Sequence, residues 1–462
     1  MPFNDLSFVA LVAAAAVLFH SAKGSVWRRS VLLGASGVFL GSFGDLQSLW
    51  PVVGFAAACV LAISLAAAWR FPALPLLAGL LALFVLLKGY TPVSLAGATA
   101  VTVGLSYILF RTVQVLVDLS EEALLPEEIA LPDLVLFLLS FLTLGAGPIQ
   151  RSEAFRVQLA TSDRIGLTDI DPAGVFGRSA LGYVKLILLA PPLIEIHARL
   201  VASGLAATPR LGLAAALFML WIYVNFSGYM DIVIGLGRIF GFALPENFNR
   251  PDRAANFIDL WSRWHITLSR TFLTYVFNPM VRWLLVHAIA PGPVSAGIAA
   301  YLTVFFLLGY WHGSGSNFAL TGLFFGIAAM GNKLWQEACR RWPWLAFDIP
   351  FGSVLGGGLG LGACATAIVP TWPLFTSAQE ALVAFGSPGR FFRVFLLASS
   401  VGCLVRLVGS AVDTLGSKPR LRSTLARCAT SPALVGIVAA LVVGVALIQS
   451  ADLPAIVYYQ RF

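Results

Sequence analysis

Fourteen apolar runs succeed one another along this chain, at about 6–22, 31–44, 49–69, 73–88, 93–117, 131–149, 174–203, 210–242, 265–290, 294–313, 316–332, 353–370, 391–414 and 432–450. A spanning helix needs about 20 predominantly apolar residues, and most of these runs approach or exceed that length. In lipid no water is at hand to satisfy backbone N–H and C=O groups, and such runs are read as membrane helices. Only 11% of the residues are charged and 58% are hydrophobic, whereas soluble domains carry about 25% charged residues. The expected fold is therefore an all-α polytopic membrane protein with roughly 11–13 transmembrane or re-entrant helices. One integral-membrane domain is expected over 1–462, with N-terminal helices at 1–149, a motif-bearing core at 150–332 and C-terminal helices at 333–462.

The short runs at 31–44, 73–88 and 316–332 are expected to be re-entrant or broken, which is tolerated at depth only where backbone lines a cavity or is buried in protein. No internal repeat is visible, which counts against an inverted-repeat transporter. The net charge of +8 fits cytoplasmic loops rich in Lys and Arg facing anionic lipid. Nucleic-acid binding is not expected. Basic residues cluster at Lys23, Arg28 and Arg29, at Arg151, Arg156 and Arg164, around 250–270, at Lys333, Arg340 and Arg341, and at 418–427. The positive-inside rule then places both termini outside, with the first loop and the 415–431 loop inside. The acidic loop with Glu121, Glu122, Glu127, Glu128 and Asp133 is expected outside. Five scattered cysteines form no CxxC pair, so neither a disulfide nor a metal site is expected from them. Only five residues precede the first run and none is basic, so no cleavable signal peptide is expected.

Against this background a few polar residues stand out. In IYVNFSGYMDIVIGLGRIFGF, Asn225, Ser227, Tyr229, Asp231 and Arg238 interrupt an apolar helix. Asp231 and Arg238 are seven apart and can share one helix face. They can equally belong to a structural polar network between packed helices. The sequon at Asn225 lies inside a span and carries no weight. Pro245 and Pro251 then break the helical pattern around a polar turn with Asn247, Asn249 and Arg250. Trp261, Arg263, Trp264 and His265 fall within five residues. On a helix Trp261 and His265 would stack at i and i+4. Trp and Arg are also ordinary interfacial anchors. Finally, His312 sits at the end of a long apolar run, between Trp311 and Gly313, with Ser314, Ser316 and Asn317 close behind. An imidazole at membrane depth is a functional-site candidate. It can act as general base towards an alcohol, bridge two helices, or line an ion path. His20, His197 and His287 are read as interfacial or structural.

The stretch from Tyr223 to Phe277, with Trp311-His312-Gly313 and Asn317-Phe318, resembles the membrane-bound O-acyltransferase family. The nearest flavour is its bacterial branch acting on cell-surface glycans, such as the alginate O-acetylation and teichoic-acid D-alanylation proteins. FSGYMDIVIGLGRIFGFALPENFNRP and WSRWHITLS carry the likeness. Gly147-Pro148-Ile149 with Arg151 and the ending IVYYQRF extend it. The resemblance implies that His312 is the active-site histidine and His265 a second catalytic histidine. Asn249 and Arg250 would match a loop near a central tunnel, and Asp231 the acidic residue of the FSGY-x-D motif. Candidate substrate or donor contacts are then Asn249, Arg250, Trp261, Arg263, Trp311, Asn317 and Asp231. Two departures stand out. TFLTY at 271–275 replaces the branch's W-F-R-D-Y element, and Phe325-Gly326 stands where an HG pair is frequent.

The resemblance thus implies a ring of tilted helices around a tunnel, where a cytoplasmic thioester, acyl-CoA or an acyl carrier protein, meets an extracytoplasmic acceptor. The expected reaction is transfer of an acyl group, in the first instance acetyl, to a polysaccharide hydroxyl or to a partner protein that completes transfer. No bound cofactor or metal is expected. An extracytoplasmic acyltransferase partner, membrane lipid and the multi-pass inner membrane of a bacterium complete that picture. The alternatives are a lipid or protein acceptor, or a proton-coupled transporter using the intramembrane histidines.

Overall fold

The computed structural model describes residues 5–90, 102–204, 207–345, 352–372, 375 and 377–416. The chain opens with α1 (Leu6–Ser21), α2 (Ser25–Gly41), α3 (Leu46–Trp69) and α4 (Ala73–Leu87). It continues with α5 (Leu105–Ser120), α6 (Leu131–Leu139), α7 (Ser152–Ser162) and α8 (Pro172–Tyr183). A π-helical turn at Val184–Leu189 carries α8 into α9 (Ala190–Ala202), and α10 (Thr208–Gly237) runs into a 3-10 turn at Arg238–Phe240. Then come α11 (Phe257–Arg263), α12 (Ile266–Phe272), a π-turn at Leu273–Phe277 and α13 (Asn278–Val286). The last helices are α14 (Pro293–His312), α15 (Ser316–Arg341), α16 (Gly352–Ala367), α17 (Ala378–Phe385) and α18 (Pro388–Gly416).

Among the described residues no β-strand forms beyond one isolated bridge. Among the described residues six helical stretches are long and apolar enough to cross a membrane: 47–69, 172–202, 208–240, 293–312, 353–371 and 388–410. The chain is an all-α, multi-pass membrane protein. Local chemistry sets the helix starts. Asp45, Asn256 and Ser377 accept N–H bonds as N-caps, and Pro172, Pro279 and Pro293 occupy the first turns of α8, α13 and α14, where their missing N–H is harmless. The run at 316–332 is not broken, contrary to expectation. It forms the first two thirds of α15, because Lys333-Leu-Trp-Gln-Glu-Ala338 continues it with good helix formers. The 73–88 run does make a helix too short to span comfortably, 15 residues. The run at 432–450, the IVYYQRF ending and most of the 415–431 loop lie outside the described residues.

The helices gather into two compact units that interleave along the sequence. The first holds the described parts of 1–188 and 225–246, and the second those of 189–224 and 247–428. The stretch 150–332 is therefore shared between them. In the first unit two buried arginines hold loops in place. Arg111 donates to the Phe137 and Leu138 carbonyls at 2.7 and 2.9 Å and to Thr143 Oγ1 at 2.6 Å. Arg28 donates to the carbonyls of Ser162 and Ile165. Carbonyl dipoles are what a buried guanidinium needs to offset its lost hydration.

The same unit corrects the placement of the acidic loop. Arg29 pairs with Asp133 at 3.0 Å, Arg156 with Glu128 at 3.1 Å and Arg151 with Asp118 at 3.4 Å. These arginines belong to the clusters assigned inside, so the acidic stretch lies on their side and not across the membrane. Acidic residues hardly influence topology, and here they neutralise the arginines.

In the second unit α14 and α15 form a hairpin with a very close crossing. A Cβ on Gly309 would collide with Gly322 and the Phe318 carbonyl, and one on Gly322 would collide with the Phe305 carbonyl. Small residues permit such backbone approach in membrane bundles. The crossing holds the end of α14, and with it His312, against the start of α15. The glycine-rich face of α16 packs in the same manner on Ser399 and Cys403 of α18.

Candidate active site

His265 owes its position to a backbone irregularity. α11 ends at Arg263, Trp264 is extended, and His265 adopts φ +44°, ψ +51° before α12 begins. A left-handed conformation is uncommon outside glycine and costs on the order of 1 kcal/mol or more, so the surroundings must impose it. They do so through the loop at 247–250. Asn249 N–H donates to the Arg263 carbonyl at 3.0 Å and Ile266 N–H to the Asn247 carbonyl at 2.9 Å, with Phe248 bridging Trp264. The Asn247 side chain is fully buried, and its Oδ1 accepts from Thr267 N–H at 3.0 Å and from Thr267 Oγ1 at 2.8 Å. The Trp264 ring is held edge-on to Phe248 at 5.2 Å and tilted against Tyr223 at 5.9 Å. This corrects the expected stacking of Trp261 over His265. The two do not share a helix face, because the helix breaks between them.

His265 is 2% exposed and lies outside the six long spans. Burial, and after it the neighbouring His312, push its imidazole far below the ordinary histidine range, so the ring is neutral. His312 is the last residue of α14 and is only partly buried. Its ring lies 4.4 Å from the buried Trp311 ring. The second unit thus brings together two imidazoles from different helix ends, near enough to interact electrostatically, one sealed and one accessible.

The other predicted residues of the second unit are held in different ways. Asn317 is buried and donates through Nδ2 to the Pro370 and Phe375 carbonyls at 3.1 and 3.2 Å, tying α15 to the segment before α17. Arg263 pairs with Asp259 at 2.9 Å, and Arg250, itself at φ +48°, pairs with Asp252 at 2.9 Å. Asp259 loses hydration on burial, but the Ala255 N–H, Arg263 and Ser262 more than offset that and hold its carboxyl below the usual range. α18 fastens the same turn. Arg406 donates to the Ala254 carbonyl and Arg253 to that of Gly409, both at 2.5 Å. Trp261 faces Phe305 and Phe325 instead of a histidine. Asn247 and Thr267 are the positioning residues that sequence reasoning passed over as site members. Their signal was the polar turn ahead of the histidine helix.

Asp231 belongs to the first unit and is answered there. Lys185 Nζ lies 2.6 Å from one of its oxygens and Arg178 Nε 3.2 Å from the other, while Arg178 also holds Glu246 in a two-pronged pair at 2.5 Å per arm. Arg238 does not share this cluster. It sits in the 3-10 turn beyond α10 and donates to the Gly174 carbonyl at 3.3 Å. Tyr229 of the same motif accepts from Ala146 N–H and donates to the Gly147 carbonyl, both at 3.2 Å, so FSGY-x-D and the GPI-x-R element meet. The other three histidines each bond one backbone carbonyl: His20 that of Ile239, His197 that of Ala214 and His287 that of Trp283.

Among the described residues no group of His, Cys, Asp and Glu could hold a metal ion. The sequence profile of the membrane-bound O-acyltransferase family matches residues 60–352, more than half of the chain. The teichoic acid D-alanyltransferase of Bacillus subtilis (strain 168) is 27% identical over 247 residues, covering 52% of this chain and 61% of the relative. The peptidoglycan O-acetyltransferase of Helicobacter pylori is 39% identical over 124 residues, 26% of this chain and 21% of the relative. The probable alginate O-acetylase AlgI of Pseudomonas aeruginosa is 27% identical over 228 residues, 49% of this chain and 41% of the relative. The chain spans less than two thirds of the length of each of these.

Proposed function

The chain belongs to the membrane-bound O-acyltransferase family, and we propose that it transfers an acyl group, in the first instance acetyl, from a cytoplasmic thioester to a hydroxyl outside the membrane. The acceptor is an envelope polysaccharide, or a partner protein that completes the transfer to it. The names of the three relatives support a surface-glycan pathway. The observation that carries the reading is the convergence of His265 and His312 in one unit, with unequal access.

In this reading His312 is the general base. The acceptor hydroxyl gives its proton to the His312 imidazole as its oxygen bonds to the thioester carbonyl carbon. The carbon–sulfur bond then breaks, and the proton passes to the departing thiolate. Neutral His265 offers a hydrogen bond without bringing a second charge into the site, and it orients the reacting groups. The donor is acyl-CoA or a carrier-protein thioester. Arg250, 47% exposed in its side chain, and Arg263 are the candidate contacts for donor phosphates, with Asn249 next to Arg250 in the chain and Trp261 on the helix of Arg263; Trp311 adjoins His312. The site lies in a multi-pass protein of the bacterial cytoplasmic membrane.

The test is the ester-linked acyl content of the envelope glycan in cells carrying wild type, His312→Ala or His265→Ala, with membrane levels of the protein matched. Loss of the ester with His312→Ala at normal abundance supports the reading. Persistence of the ester in both variants defeats it.

A further inference from the structure

We infer that the first unit binds a zwitterionic phospholipid of the ethanolamine type, in a cleft at the ends of α3 and α5, with Arg70 taking the phosphate and Glu122 the ammonium. The cleft is separate from the histidine pair, and the inference stands whether or not the acyl-transfer reading holds.

The cleft has a volume of about 420 Å³. Ligand sites commonly occupy about 300–1,000 Å³ and are mostly apolar, with a few placed polar groups. Here the buried Leu116 and Leu124 form the floor. Phe71 and Leu125, each 48% exposed, stand at the rim. Two side chains of opposite charge, Arg70 and Glu122, share the lining, and both are exposed. Among the described residues neither side chain makes an ion pair or a hydrogen bond. The neighbouring carboxylates behave differently: Asp118, Glu128 and Asp133 are each answered by an arginine. An arginine and a glutamate that line one cleft yet stay apart leave room between them for a molecule carrying both signs.

The helix ends divide the roles. Arg70 and Glu122 are the left-handed residues just past α3 and α5, at φ +49° and +57°. The Arg70 N–H turns back to the Leu65 carbonyl, and the Ala123 and Leu124 N–H groups to that of Asp118. Both helices thus bring their C-terminal ends to the cleft, and the negative end of a helix favours a cation. Glu122 and these two ends suit an ammonium. The Arg70 guanidinium, with its fork of N–H donors, suits a phosphate.

The depth suits a lipid. The apolar span of α3 ends at Trp69, one residue before Arg70, which therefore stands at headgroup level. Glu122 belongs to the acidic stretch that pairs with Arg29, Arg151 and Arg156, so the cleft opens on the basic face of the protein. The apolar rim lets acyl chains continue into the surrounding bilayer. The headgroup chemistry is selective as well. A primary ammonium donates N–H bonds to Glu122, which a quaternary choline does not have. A phosphoglycerol headgroup would leave Glu122 without a cation.

The experiment titrates the full chain, purified in detergent, with dioleoyl phosphatidylethanolamine, phosphatidylcholine and phosphatidylglycerol, and counts bound lipid by native mass spectrometry. Wild type should bind the ethanolamine lipid about tenfold more tightly than the other two, the scale of one hydrogen bond to a charged group. Glu122→Gln should abolish that preference, and Arg70→Gln should weaken binding of all three. Both substitutions are at exposed positions and keep a polar side chain. Ala66→Phe fills the cleft and should lower binding with both charges in place. If that variant fails to accumulate, Ser120→Trp, at an exposed lining position, blocks the same space. Equal binding of the three lipids by wild type overturns the inference, as does a preference that survives both glutamine substitutions or the filled cleft. Tightest binding of the glycerol lipid, weakened by Arg70→Gln alone, also overturns it and marks a site for anionic lipid.

Discussion

Asp231 in the first unit and His265 in the second both set an ionisable side chain among apolar helices, and the protein treats them in opposite ways. Around Asp231 two cations and a second carboxylate close a neutral cluster: Lys185, Arg178 and Glu246. A carboxylate cannot shed its charge without a proton, so it requires full opposite charges in a low-dielectric setting. Around His265, Asn247 and Thr267 shape the turn, aromatic rings line it, and another imidazole stands nearby. An imidazole can be buried as the neutral ring and needs no counter-charge. A cluster whose charges are all mutually answered is built to hold helices together. Two neighbouring imidazoles are able to exchange protons with a third molecule.

The comparison breaks most sharply on activity against abundance. His312→Ala should lower acyl transfer by about 10²- to 10⁴-fold, the usual contribution of a positioned acid–base group, with membrane abundance near wild type. Asp231→Ala should do the reverse. It leaves Lys185 facing no carboxylate and Arg178 only half answered, at about 3–5 kcal/mol of stability. Abundance and thermal stability in detergent should collapse, while transfer per folded molecule falls far less than with His312→Ala. If Asp231→Ala accumulates normally yet loses transfer per molecule as completely as His312→Ala, Asp231 serves the reaction, and the division between a structural cluster and a chemical one is wrong.

The sequence made the apolar helices legible because burying backbone in lipid leaves so few solutions. α3, α10, α14 and α18 fall within a few residues of the runs that announced them. His265 and His312 were legible too, since imidazoles are rare in such surroundings. Pairing across distance was not. Asp231 looked to Arg238, seven residues on, but its partners lie 46 and 53 residues back. Charge rules that count loops separately could not show Arg29 meeting Asp133. The Trp261–His265 stacking failed for a related reason. A helical count assumes an unbroken helix, and the pull of Asn247 on Ile266 and Thr267 opens one at Trp264. Phe325 read as a gap in a motif, yet it packs against Trp261.

The supporting shell of the histidine site sharpens the comparison at smaller scale. Asn247→Ala strips the Thr267 N–H and hydroxyl of their buried acceptor, at about 1–3 kcal/mol. Because those bonds hold the turn bearing His265, transfer per folded molecule should also fall, by about tenfold or more. Asn247→Asp, which restores the acceptor oxygen, should recover part of it. Loss of stability alone, with unchanged transfer, would make Asn247 a packing residue only.

Asp259 should show the smallest effect, and one with a pH signature. Its folded-state pKa lies below the ordinary carboxylate value, so its ionised form adds stability that is present above about pH 4, the unfolded value, and fades as pH falls through the folded one. Asp259→Asn should therefore lower stability by about 1 kcal/mol at neutral pH, with the difference from wild type closing on acidification below pH 4. Thermal unfolding in detergent across that range measures it. The loss should be felt at the neighbouring site as well, since Asp259 orients Arg263, whose carbonyl receives the Asn249 N–H. A gap between the two proteins that stayed constant down to pH 3 would mean that Asp259 acts through its shape and hydrogen bonds alone, and that even here the histidine site is organised without charge.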